Sequence, residues 1–195
     1  MRSDTERNRR HLIKAAARLF ENSPTPVSLA EIAKHAEVST ATAYRHFSSV
    51  EEILHAFRAQ VGSELRDFSA RQTTRGMARL EAVSRCWVSL VLEHGGAMAQ
   101  MRSHRGYLER LRETTAYLTP QAEALAEPLR QTTEELGLGD LGDEALYLWN
   151  TLFDPRDILD LIKSGRTEDE AATRLVAALR GALIGWSTAD QQRGE

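Results

Sequence analysis

Cysteine and proline are scarce in this chain. A single cysteine, Cys86, excludes an intrachain disulfide framework. Five prolines, with 42% hydrophobic and 27% charged residues, exclude large-scale disorder and describe an ordinary globular composition. No apolar run is long enough to cross a bilayer, so no membrane span is expected. The opening Met1-Arg2-Ser3-Asp4 has no apolar signal region, which points to the cytoplasm. Catalytic patterns are missing as well: there is no Gly-rich phosphate loop, no His-Glu-x-x-His spacing, no nucleophile elbow and no cysteine pair. His11, His35, His46, His55, His94 and His104 are scattered, and Glu109, Glu113, Glu123 and Glu127 read as solvated helix faces. The sequence therefore calls for no metal, no cofactor and no enzyme. A net charge of −3 argues against a protein that coats nucleic acid along its whole surface.

What is present is helical periodicity, and the charge is unevenly spread along it. Residues 1–60 hold nine Lys and Arg against seven Asp and Glu, while the remainder is acidic. Arg2, Arg7, Arg9, Arg10 and Lys14 crowd the first fifteen residues, where they could reach phosphates. Leu12, Ile13, Ala16, Leu19 and Phe20 fall on one face of a first helix over 5–22, which Ser23-Pro24-Thr25-Pro26 ends. Ser28 and Glu31 have capping-box spacing for a short second helix burying Leu29, Ile32 and Ala33. Ser39 caps a third helix with Ala43 and Phe47 inward. Ser49 and Glu52 cap a fourth over 49–70, striped by Val50, Ile53, Leu54, Phe57, Val61, Leu65 and Phe68. With no alternating strand pattern anywhere, the fold class is all-α.

Downstream, Met77 to His94 forms a fifth helix that Gly95-Gly96 is expected to terminate. Thr119-Pro120 reads as a cap followed by proline, opening a helix towards Leu136, and the glycines Gly137, Gly139 and Gly142 make the turn after it. Asp143 starts another helix, which Asp154-Pro155 breaks and Gly165 stops. Thr167 with Glu170 caps a last helix burying Leu175, Val176, Leu179, Leu183 and Trp186.

Three short helices, the second and third joined by a tight turn at Ala36-Glu37-Val38, form an arrangement that presents one helix to a DNA major groove. The third helix turns Thr40, Ala41, Thr42, Tyr44 and His46 outward, a set of hydroxyls, a methyl and an imidazole suited to base edges and phosphates. The runs Val27-Ser28-Leu29-Ala30-Glu31-Ile32-Ala33, Val38-Ser39-Thr40-Ala41-Thr42-Ala43-Tyr44-Arg45-His46-Phe47 and Glu51-Glu52-Ile53-Leu54 resemble the DNA-binding head of the tetracycline-repressor (TetR) family over roughly residues 8–58.

That resemblance implies a homodimeric, ligand-responsive repressor of a palindromic, double-stranded operator. It also implies a helix-turn-helix domain at 1–50 and a helical ligand-binding and dimerisation domain at 51–195. Carried onto this chain, Thr40, Ala41, Thr42, Tyr44 and His46 match DNA-contacting positions, with the capping residues Ser28 and Ser49 beside them. Two positions depart from the family pattern: Glu37 stands where a turn glycine is usual, and Val50 where a lysine is common. A left-handed turn at Glu37 and one phosphate contact fewer are the expected results.

In the body the soft or aromatic groups Trp87, His94, Met98, Met101, Tyr107, Tyr117, Trp149 and Phe153 are candidates to line a pocket for an unknown small molecule. Core packing is the competing reading for each of them. Cys86, with only Arg85 as a basic neighbour, is a weak candidate for a redox role. Ala178, Gly181, Ala182 and Gly185 form a small-residue stripe on the last helix, fit either for a two-fold interface or for packing within the subunit. A helical adaptor that has lost DNA binding is the main rival to the regulator, and a small-molecule-processing enzyme on a helical scaffold is a weaker one.

Overall fold

A computed structural model describes residues 2–22, 27–99, 105–113 and 116–191. Among them are ten helices and no strand: α1 (Arg2–Asn22), α2 (Leu29–His35), α3 (Thr40–His46), α4 (Val50–Ala70), α5 (Gly76–Ala99), α6 (Tyr107–Arg112), α7 (Thr119–Glu135), α8 (Gly142–Leu152), α9 (Pro155–Lys163) and α10 (Glu168–Gln191). Local chemistry accounts for most helix starts. Ser28 accepts from the Glu31 amide while the Glu31 carboxylate accepts from the Ser28 amide, closing the capping box of α2. Thr167 and Glu170 do the same for α10. Asp154 caps α9 by accepting from the Arg156 amide at 2.9 Å, and Pro155 takes the first turn, where no amide is needed. The turn after α7 closes through Gly137 at φ 69°, with Leu138 donating to the Thr133 carbonyl.

The middle of the molecule is a packed trio of α4, α5 and α7, with α1 laid across α4 and α5. The short helices α2 and α3 pack on each other and on α1, while α10 packs on α5, α8 and α9. One apolar cluster runs from Leu12 in α1 through Leu65, Trp87 and Leu125 to Leu183 in α10. Arg85 ties α5 to α10 by donating to Asp169 at 2.6 Å and Thr173 at 2.8 Å.

Several elements differ from the sequence expectations. Gly95 and Gly96 do not end α5, which continues through both to Ala99. They are there for close approach: a Cβ on Gly95 would meet the Leu159 side chain of α9 at 2.8 Å, and one on Gly96 would meet the Glu21 Cα of α1 at 2.6 Å. Thr119 is the first residue of α7 rather than its cap; Leu118 holds the cap position with helical backbone angles and no side-chain bond. Trp186 is not in the core but 38% exposed, with its indole N–H donated to Glu144 at 2.9 Å, and Leu175 is half-buried. The expected helix-ending segment 23–26 lies outside the described residues.

Candidate nucleic-acid interface

The turn between α2 and α3 is built around Glu37, which adopts φ 56°, the left-handed conformation its position demands of a residue with a side chain. The Val38 amide donates to the Ala33 carbonyl and the Glu37 amide to Lys34, so the backbone groups freed at the end of α2 are used. Ser39 then caps α3 by accepting from the Thr42 amide at 3.1 Å. Ala43 and Phe47 are fully buried against α1, and that anchoring fixes which face of the seven-residue helix looks outward. On that face Thr40 and Ala41 are exposed, Thr42 and His46 half-buried, and Tyr44 projects with 59% of its surface exposed.

The Thr42 hydroxyl sits 2.9 Å from Ser39 Oγ and accepts from the Arg45 guanidinium at 2.8 Å, so Arg45 lies beside the outward row. Ser28 and Ser49 are exposed, with their hydroxyls engaged in the caps of α2 and α4. Glu52 takes the Ser48 amide at 2.7 Å, and that bond with the Ser48 hydroxyl's holds its carboxyl below the usual range. In the basic segment Arg9 lies 4.8 Å over the Phe47 ring and Arg7 pairs with Asp4 at 2.9 Å, so both are held to the head.

The aromatic groups of the body divide. Trp87, Trp149 and Phe153 are sealed in the core, Trp149 stacked on Phe153 at 4.9 Å and edge-on to Trp87 at 5.5 Å. Both indole N–H groups are used internally, on the Phe153 carbonyl and on Ser84 Oγ, each at 3.0 Å. As a set, the three make a core rather than the walls of a pocket, and Trp87 also carries the Arg58 guanidinium over its ring. His94 faces a different groove, between α1, α4 and α5, with its ring edge-on to Phe57 at 5.5 Å. Met98 and Tyr117 do meet at a small cavity of about 70 Å³, together with Arg58, Arg110, Asn150 and Arg156. Tyr107 is buried nearby, its phenol pushed up to about 12 by burial. Met101 lies outside the described residues.

The family model for bacterial regulatory proteins of the tetR family matches residues 12–57, which span α1 from Leu12, α2, α3 and the start of α4. The match lies in the head, over the helices that carry the α2–α3 turn. Solved tetR-family structures share the fold of the whole chain. A tetR-family transcriptional regulator from Streptomyces coelicolor is 23% identical with a TM-score of 0.63, covering 96% of this chain and 85% of that one. The fatty acid degradation regulator FadR from Bacillus halodurans is 17% identical with a TM-score of 0.66, over 91% and 95%. A TetR family transcription regulator from Marinobacter aquaeolei VT8 is 18% identical with a TM-score of 0.57, over 93% and 98%. No curated protein matches the chain. The head match supports a DNA-binding transcriptional regulator, and the solved structures show the shared fold.

Sequence reasoning passed over two residues of interest. Arg45 stands exposed on α3, and its signal was a basic residue three places after Thr42. Arg58 is buried on α4 in line with Leu54, Val61 and Leu65, and its signal was a charge set into an apolar stripe. Cys86 is half-buried and its thiol is pushed up by burial, which opposes thiolate chemistry. Among the described residues no group of three or more His, Cys, Asp or Glu could hold a metal ion, and no helix is long and apolar enough to cross a membrane.

Proposed function

We propose that the protein is a homodimeric, ligand-responsive repressor that holds a palindromic operator and releases it when a small molecule enters the body. The observation that carries the reading is the outward row of α3, with Thr42 and the exposed Tyr44 fixed by Ala43 and Phe47 beneath them. Base edges are read by Thr40, Ala41, Thr42 and Tyr44, and phosphates are bonded by His46 with Arg45, Ser28 and Ser49 at the margins. A ligand response requires a rigid link, and α4 supplies it. The helix starts at the head's Ser49 cap, buries Ile53, Leu54 and Phe57, and ends in the trio with α5 and α7.

The second copy docks on α8 and α10. Nothing outside the helix itself lies within 4 Å of a Cβ built on Gly181 or Gly185, and Ile184 and Trp186 stand 39% and 38% exposed beside them. The stripe formed with Ala178 and the half-buried Ala182 therefore faces out of the subunit, which favours the two-fold interface over internal packing. A dimer then sets two recognition helices about 34 Å apart, one turn of DNA, and a small change in that spacing loses the operator.

Selection of the full-length protein on random duplex DNA is expected to enrich a palindromic element, bound with an affinity that falls steeply as salt rises. Gly181→Leu should shift the protein to monomer in light scattering and abolish tight binding of that element. A pool with no enriched sequence would remove the regulator reading and leave the adaptor. A Gly181→Leu protein that remains dimeric and binds normally would move the interface elsewhere.

A further inference from the structure

Arg58 is the one place in the body where a charge is sealed inside the described structure without a charged partner bonded to it. Only 7% of the residue is exposed, and its Nη2 donates to Gln121 Oε1 at 2.6 Å. The guanidinium lies 4.8 Å over the Trp87 ring. Its Nε and the Gln121 Nε2 are both buried with no hydrogen-bond partner among the described residues. Buried donors in native proteins are almost always used, and a buried cation without a carboxylate is costly, so this pair calls for an explanation. Burial pushes the Arg58 guanidinium down to about 10, which leaves it a cation at neutral pH.

Among the described residues no carboxylate is bonded to it, though Asp154 is near enough to attract it. Arg58 lines the cavity of about 70 Å³ with Arg110, Arg156, Tyr117, Met98 and Asn150. Asp154 is the acidic residue of that lining, and its oxygens are committed to Arg156. Arg156 Nε donates to Oδ1 at 2.9 Å and Nη2 to Oδ2 at 2.7 Å, while the Arg156 amide shares Oδ1. Three arginines thus line a space whose lining, among the described residues, includes one carboxylate, and that carboxylate is bonded to Arg156. Arg110 reaches the Tyr117 hydroxyl at 3.2 Å, and His55 stacks on the same Tyr117 ring at 4.1 Å. The volume is several times the about 10–15 Å³ that one water needs. It suits the planar head of a carboxylic acid, whose two oxygens match a guanidinium fork.

We propose that this cavity binds the carboxylate of a small organic acid, with Arg58 as its principal ligand. The inference rests on the regulator reading, since it names the chemical class of the effector. It also states how the signal travels. Arg58 follows Phe57 directly on α4, and His55 on the preceding turn stacks on Tyr117, so an anion drawn to Arg58 acts on the helix that carries the head. An uncharged effector would leave the guanidinium unmatched.

Thermal unfolding of the full-length protein tests this without DNA. Sodium hexanoate and sodium benzoate are compared with hexanamide and benzamide, and with inorganic phosphate as a second oxyanion, on wild type and on Arg58→Met. At about 100 times the Kd the acids should raise the wild-type Tm by about 5–10 °C. The amides and phosphate should not, and Arg58→Met should show no acid-dependent shift. With no ligand added, Arg58→Met leaves the buried Gln121 Oε1 without its donor, so its Tm is expected at or below that of wild type, and a cooperative melt shows that the variant is folded. Acids that protect no better than their amides, acids that still protect Arg58→Met, or phosphate that protects as well as the acids would each overturn the proposal. A protein that binds its operator yet ignores the acids keeps the regulator reading and loses this one. A protein that responds to the acids but selects no DNA does the reverse.

Discussion

The head and the body handle polar side chains in opposite ways. In α2 and α3 the apolar residues Leu29, Ile32, Ala33, Ala43 and Phe47 are buried, and the serines, threonines and Tyr44 stand at the surface. In the body a guanidinium is folded inside, bonded to one amide oxygen and laid on an indole. The first arrangement leaves its hydrogen-bonding groups facing outward, which suits a large external partner. The second suits a partner small enough to be enclosed. A surface that reads a groove loses little stability when its outward groups are changed, whereas an enclosed site trades stability for recognition.

Phe47→Ala should break the comparison most severely. It removes the ring that seats α3 and supports Arg9, and should cost about 3–5 kcal/mol of head stability. Hydrogen exchange is expected to show α2 and α3 opening while the α4, α5 and α7 trio stays protected; equal loss of protection in both regions would mean that head and body unfold as one unit.

A smaller effect is expected where the two regions touch. Gly96→Ala places a methyl 2.6 Å from the Glu21 Cα, which is backbone, and should destabilise by about 1–3 kcal/mol despite the better helix propensity of alanine. Gly95→Ala meets only the end of the Leu159 side chain, which can swing away, and should come out near neutral. Urea denaturation of both variants checks the pair, and equal losses would show that helix α1 does not bear on α5 as closely as described.

The smallest effect belongs to the turn. Glu37→Gly relieves a left-handed residue, a gain of about 1–2 kcal/mol that the freer unfolded chain partly cancels, so a net stabilisation below about 1 kcal/mol is expected in thermal melts. A loss of stability would show that the Glu37 side chain has a bonding role of its own.

The same contrast explains what could be read from the amino-acid sequence. The caps at Ser28, Ser39, Asp154 and Thr167 depend on residues two or three places apart, so they were legible, as was the left-handed Glu37. Gly95-Gly96 was misread because its reason lies in α1 and α9, far away in sequence. Trp186 was placed inward by helical period, yet it stands partly exposed and reaches α8 instead, with its indole N–H on Glu144 and its ring 6.0 Å from that of Tyr147. The body cavity was half legible: Met98 and Tyr117 were named, while Arg58 was hidden among the apolar residues of its own stripe. Only packing from α7, α8 and α9 brings Gln121, Asn150 and Arg156 to it.

The central claim is that the outward row of α3 reads DNA, and the most direct test is fluorescence anisotropy on a selected operator with Thr42→Ala and Tyr44→Ala. Each variant should bind the operator about 1–3 kcal/mol more weakly, roughly 5- to 150-fold, while its Tm and its affinity for unrelated duplex stay at the wild-type level. Operator affinity equal to wild type in both variants would contradict the claim and take Thr42 and Tyr44 off the interface.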